Sequence, residues 1–132
     1  MSGRTNISTG TPWEKKLGYS RAVRVGNLVY ISGTTSSDEA GKVIGAGNPG
    51  EQADYIFQKI ERALLAAGAN LQDVVRVRMF VTDISRWEEV GHAYSRYFKH
   101  VLPVTTMVEV SKLIDPEHMV EIEVDAVIGS AP

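Results

Sequence analysis

The sequence predicts an α+β fold in which two helices cover one face of one mixed β-sheet. Three observations carry that reading. Segments 22–32, 74–82, 105–110 and 119–128 have the strand period of two. Segments 51–67 and 86–99 repeat their apolar residues at three and four, as amphipathic helices do. The resulting order, β-β-(β)-α-β-α-β-β, provides no helix for the second sheet face.

Residues 2–16 read as an extended or irregular lead-in. Residues 22–32 form a hairpin around Gly26 and Asn27, a pair that supplies the positive φ angles of a two-residue turn. Gly33 follows directly, where backbone can approach a neighbour closely. Residues 34–49 are loop-like, with a short strand expected at 42–44. The first helix carries Ala53, Ile56, Phe57, Ile60, Ala63, Leu64 and Ala67 on one face, and Gly68 stops it.

In the next strand Val75, Val77, Met79 and Val81 point one way, and Arg76, Arg78, Phe80 and Thr82 the other. Ser85 and Glu88 fit a capping box that opens the second helix near Arg86. Trp87, Val90, Tyr94, Tyr97 and Phe98 are its expected buried stripe. The strand over 105–110 is followed by a turn at Pro116 and the last strand.

The charges narrow the function. Fourteen Lys and Arg stand against sixteen Asp and Glu. A nucleic-acid binder carries a basic excess, so no such partner is expected. Without cysteine there is no disulfide and no thiolate site. His92, His100 and His118 lack metal-ligand spacing, and no metal or other cofactor is expected. No segment reaches the roughly 20 apolar residues of a membrane helix, and residues 1–10 do not read as a signal peptide. A cytoplasmic protein without a membrane partner is expected.

Arg76 and Arg78 on one strand, and Glu121, Glu123 and Asp125 on the last, give the uncovered face two rows of charge. Phe80, Met107 and Val127 are read among them. A solvated sheet face fits the charges. Partial cover by another subunit fits the apolar residues.

Gly18 and Tyr19, the run from Gly26 to Gly33, Phe80 to Asp83, Pro103 with Val108 to Val110, and Val120 to Glu123 together resemble the Rid family. These are the reactive intermediate deaminases, also labelled endoribonuclease L-PSP or YjgF-like proteins. The resemblance spans 18–127. It implies a chorismate-mutase-like fold, a homotrimer with a central barrel, and small-molecule pockets between subunits. There, deaminating members hydrolyse enamines or imines to ammonia and a 2-keto acid.

Carried over residue by residue, the resemblance implies Glu121 and Tyr19 as catalytic residues. It matches Ser32 and Gly33 to the family's Ser-Gly at the strand end, and the backbone N–H groups of Ser32, Gly33 and Thr34 are the candidate oxyanion site. Thr105, with Met107 beside it, and Gly91 are expected at the substrate. Thr105 stands where deaminases carry a carboxylate-binding arginine, and Gly91 where they often carry an asparagine. A threonine hydroxyl offers one neutral donor where a guanidinium offers a charged fork. Arg78 or Arg24 is then the candidate replacement cation, and the chain reads as a divergent subgroup. The alternatives are a non-catalytic metabolite-binding or chaperone-like trimer and, least favoured, an endoribonuclease.

Overall fold

The computed structural model describes residues 3–132. Met1 and Ser2 of the lead-in lie outside the described residues. Its strands are β1 (Arg4–Ile7), β2 (Ala22–Val25), β3 (Leu28–Thr34), β4 (Val74–Val81), β5 (Val104–Glu109) and β6 (Val120–Val127). Its α-helices are α1 (Pro12–Leu17), α2 (Pro49–Ala66) and α3 (Trp87–Phe98). The six strands form one sheet in the order β1-β2-β3-β6-β4-β5, antiparallel except for the β4–β5 pair. Among the described residues no helix is long and apolar enough to cross a membrane.

The α+β reading holds, and its core has a simple physical origin. The α2 positions at three- and four-residue spacing meet the inward residues of β3, β4 and β6. Ile56, Phe57, Ile60, Leu64, Val29, Val77, Ile122 and Val124 are all fully buried there. Each large apolar side chain so buried contributes about 1.5–3 kcal/mol before entropy is counted. Phe57 also packs against Tyr94, Tyr97 and Phe98, with ring centroids 5.2–6.3 Å away. This stack fixes α3 against α2.

Several expectations are corrected. The lead-in is not irregular throughout: β1 adds an edge strand beside β2, and α1 follows it. At the hairpin only Gly26 has positive φ (+58°), so Asn27 does not share that role. The expected strand at 42–44 is a single bridge between Ser37 and Val43. In β4 a bulge between Val74 and Arg76 turns Val75 outward and leaves Val74 buried.

The capping box at Ser85 does not form. Asp83 caps the chain instead, accepting from Ser85 N (3.1 Å) and Ser85 Oγ (2.5 Å) ahead of a 3-10 turn over Ile84–Arg86. That extra turn rotates the start of α3, and Trp87 is 53% exposed rather than buried.

Candidate functional site

The uncovered face carries the expected charges, and Arg76, Arg78, Glu123 and Asp125 pair among themselves. Arg78 Nη1 lies 3.4 Å from Asp125 and 3.7 Å from Glu123, and Arg76 lies 3.9 Å from Asp125. Leu28 and Tyr30 on β3, and Val104 and Val108 on β5, are exposed apolar residues on the neighbouring strands. Met107, however, is not among these charges. It pairs with Met79, whose side is the buried one, and packs against the core. Thr105 pairs with buried Val77 and shares that side. Parallel strands in register present paired residues to one face, which is why β5 follows β4 here.

The sequence-predicted site residues therefore fall into two groups. Gly91, Thr105 and Met107 lie at the outer edge, where a Cβ on Gly91 would meet the Trp87 ring and Thr105 stands near the Tyr94 phenol. Glu121 lies on β6, paired with Phe80 on the uncovered face. Two inter-strand spacings, about 10 Å, separate β6 from β5, and the residues face opposite sides. One protomer does not join the groups.

Glu121 and Gly33 do meet. Ser32 and Gly33 stand two against one opposite Glu123, because the β3–β6 register shifts between Ile31 and Thr34. This bulge brings Gly33 against the Glu121 side chain, whose Oε2 occupies the place a Cβ at 33 would take. The neighbouring hydroxyls are spent on backbone. Ser32 Oγ donates to the Ser20 carbonyl (2.6 Å), and Thr34 Oγ1 donates to the Ser32 carbonyl (2.8 Å) in a buried position. Burial pushes the Glu121 pKa up, Arg21 opposes that, and Glu123 adds to it. A carboxylate so placed can exchange a proton nearer neutrality than an ordinary glutamate.

Arg21 is the residue that sequence reasoning missed. Its Nη2 donates to the Gly33 carbonyl (2.8 Å), and Tyr19, Glu14 and Glu121 act electrostatically on its guanidinium. One signal was available: Tyr19 and Arg21 are two apart entering an extended strand, so they share a face. Arg24 does not reach this site. It donates to the Gly26 and Ala67 carbonyls at the far end of β2.

Tyr19 is 41% exposed at the rim of a cavity of about 460 Å³ lined by Ser8, Gly10, Thr11, Pro12, Glu14 and Lys15. Glu14 is 4% exposed. Burial raises its pKa, but hydrogen bonds from Thr9, Ser8 and Thr11 outweigh that and hold it below the ordinary value. Lys59 completes the surroundings, donating to the Thr35 (2.6 Å) and Ser37 (2.8 Å) carbonyls just beyond Gly33. His118, also buried, shares a 2.8 Å hydrogen bond with Ser37 Oγ.

Fold and site together define a two-layer α+β protein with a carboxylate, a glycine and an arginine gathered at the ends of its central strands. Known proteins of this kind match the chain closely. Residues 13–128 fit the family model described as Endoribonuclease L-PSP, and the chain belongs to that family. A solved member of the YjgF/YER057c/UK114 family from Mycobacterium tuberculosis is 48% identical. The match covers 95% of this chain and 99% of that one, with a TM-score of 0.86. A protein of Streptomyces coelicolor is 33% identical over 124 residues, 94% of this chain and 92% of its own length. The RutC family protein UK114 of Drosophila melanogaster is 31% identical over 127 residues, 96% of this chain and 91% of the relative.

Proposed function

We propose that this protein is a small-molecule hydrolase that cleaves an enamine, imine or related C–N bond in pockets between the subunits of a homotrimer. Membership of the family supports a small-molecule deaminase or metabolite-binding role. The observation that carries the finer reading is the Glu121 carboxylate, partly buried against Gly33 with a raised pKa.

In the proposed reaction Glu121 takes a proton from water as its oxygen adds to the imine carbon. The nitrogen is protonated, the C–N bond breaks, and ammonia leaves as the C=O bond forms. Water and imine are consumed, and one carbonyl compound and one ammonia are produced. Tyr19, at the rim, hydrogen-bonds the reacting nitrogen or oxygen. In the trimer the uncovered sheet faces pack inward as a barrel, which buries Tyr30, Phe80 and Val108. Gly91, Thr105 and Met107 of one copy then close the seam over Glu121 and Gly33 of the next.

The test is ammonia release from imines generated in situ by a separate enzyme, with Glu121→Ala alongside. Turnover that falls to background in the variant supports the reading. Absence of turnover in the wild type, or an unaffected variant, overturns it.

A second reading, a metabolite-binding protein without catalysis, draws on Thr105. Its neutral hydroxyl stands near the Tyr94 phenol, and β5 carries no cation. Tight binding of a metabolite that mass spectrometry recovers unchanged would favour it. The acidic charge balance weighs against RNA cleavage.

A further inference from the structure

We infer that Arg21, and no residue of β5, supplies the positive charge that holds a carboxylate-bearing ligand beside Gly33 and Glu121. This rests on the site reading above and names its ligand class. A guanidinium has five N–H donors, and among the described residues Arg21 spends one, on the Gly33 carbonyl. Its Nε is buried without a hydrogen-bond partner. A desolvated cation with donors to spare is costly unless an anion completes it.

The protein's own anions do not complete it. Glu121 influences Arg21 electrostatically, yet no ion pair within 4.0 Å joins them among the described residues. Glu14 also acts on Arg21, but Thr9 Oγ1 (2.6 Å) and Thr11 Oγ1 (3.0 Å) already donate to its carboxylate. On the other side Lys59 adds a second positive charge, and among the described residues it too has no carboxylate within 4.0 Å. Its head is held by the Thr35 and Ser37 carbonyls. Arg21 and Lys59 are thus two cations with no carboxylate within 4.0 Å of either among the described residues.

The hydrogen bond to Gly33 gives Arg21 a positioning role as well. It pins the bulged peptide against which Glu121 rests. A carboxylate gripped by the outer edge of the guanidinium would lie within reach of the same spot. The C–N bond attacked by water would then belong to a ligand anchored by its acid group.

The probes are 2-oxobutanoate and its neutral counterpart 2-butanone, titrated into the intact assembly by calorimetry. Wild type is expected to bind the oxoacid at least tenfold tighter than the ketone. Arg21→Gln should weaken the oxoacid at least tenfold and leave the ketone unchanged, and Arg21→Lys should recover part of the loss. Equal affinity for both probes in wild type, or an oxoacid affinity unchanged in Arg21→Gln, overturns the inference.

Should Arg21→Gln fail to fold, the wild type decides alone. The Arg21 side-chain N–H resonance must shift on titration with oxoacid and stay still with ketone; an unmoved signal overturns the inference. Ammonia release is scored separately. Arg21-dependent oxoacid binding without turnover removes the hydrolase reading and supports this one. Wild-type kcat/KM in Arg21→Gln removes this one and spares the hydrolase.

Discussion

Gly33 and Glu121 occupy one another's space: the carboxylate of Glu121 fills the volume that any side chain at position 33 would need. The contact is with the far end of a flexible side chain, not with backbone. A methyl group at 33 therefore moves the carboxylate more easily than it moves the sheet.

Gly33→Ala accordingly separates function from stability. Turnover in the ammonia assay should fall at least tenfold, while stability changes by about 1 kcal/mol, the low end of overpacking costs. Urea unfolding and the assay on one preparation check this. Wild-type turnover in the variant would show that the position of the carboxylate is not critical.

Glu121→Gln should change the pH dependence of stability. Burial raises the folded-state pKa of Glu121 above 4.5, so in that window the folded state holds more protons than the unfolded state. Stability is full below 4.5 and is lost as pH rises through the raised value. The amide does not ionise, so the variant should lose less stability than wild type between pH 4.5 and 7. Parallel melting curves across that range would contradict the raised pKa.

Lys59 gives a slope of the opposite sign. Burial, aided by Arg21 and Arg62, lowers its pKa to about 8 from 10.5. Between those values the unfolded state holds the extra proton, so this group adds stability as pH rises. Lys59→Met should remove that rise. It should also destabilise by about 1–3 kcal/mol, because the Thr35 and Ser37 carbonyls lose their donor. Denaturant titrations at pH 7.5 and 10 measure both effects.

Assembly has its own test. Tyr30 is exposed and stands opposite Asp125 on the uncovered face. Tyr30→Glu sets two like charges face to face there and should break the proposed trimer into single subunits. Sedimentation velocity at micromolar concentration reads it. A wild type that sediments as a monomer would remove the barrel.

The aromatic residues of the helical layer should differ sharply. Trp87 is half exposed, while Phe57 is fully buried among three rings. Phe57→Ala should cost about 3–5 kcal/mol, and Trp87→Ala no more than about 1 kcal/mol. Urea midpoints at constant m-value separate the two.

The elements legible in the sequence were those whose signal is local. The 3.6-residue repeat of α2 and the alternation of β6 place their own side chains, because backbone geometry sets those periods whatever lies nearby. Resemblance grouped Tyr19, Gly33 and Glu121 without distances; of these, the structure brings Gly33 and Glu121 into contact. The short α1 was missed because six residues are too few to show a helical repeat. Val75 and Trp87 were misplaced because a one-residue bulge and a 3-10 turn each rotate the pattern that follows.

What the sequence alone determined is the fold class, the buried face of α2 and the charged rows on the second sheet face. What only the tertiary structure decided is that Arg21, Gly33 and Glu121 share one place, that Thr105 takes the side of buried Val77, and that Arg24 is occupied elsewhere. The reason is separation along the chain. Residues about a hundred positions apart meet only once strand order and register are set, and no local period encodes either.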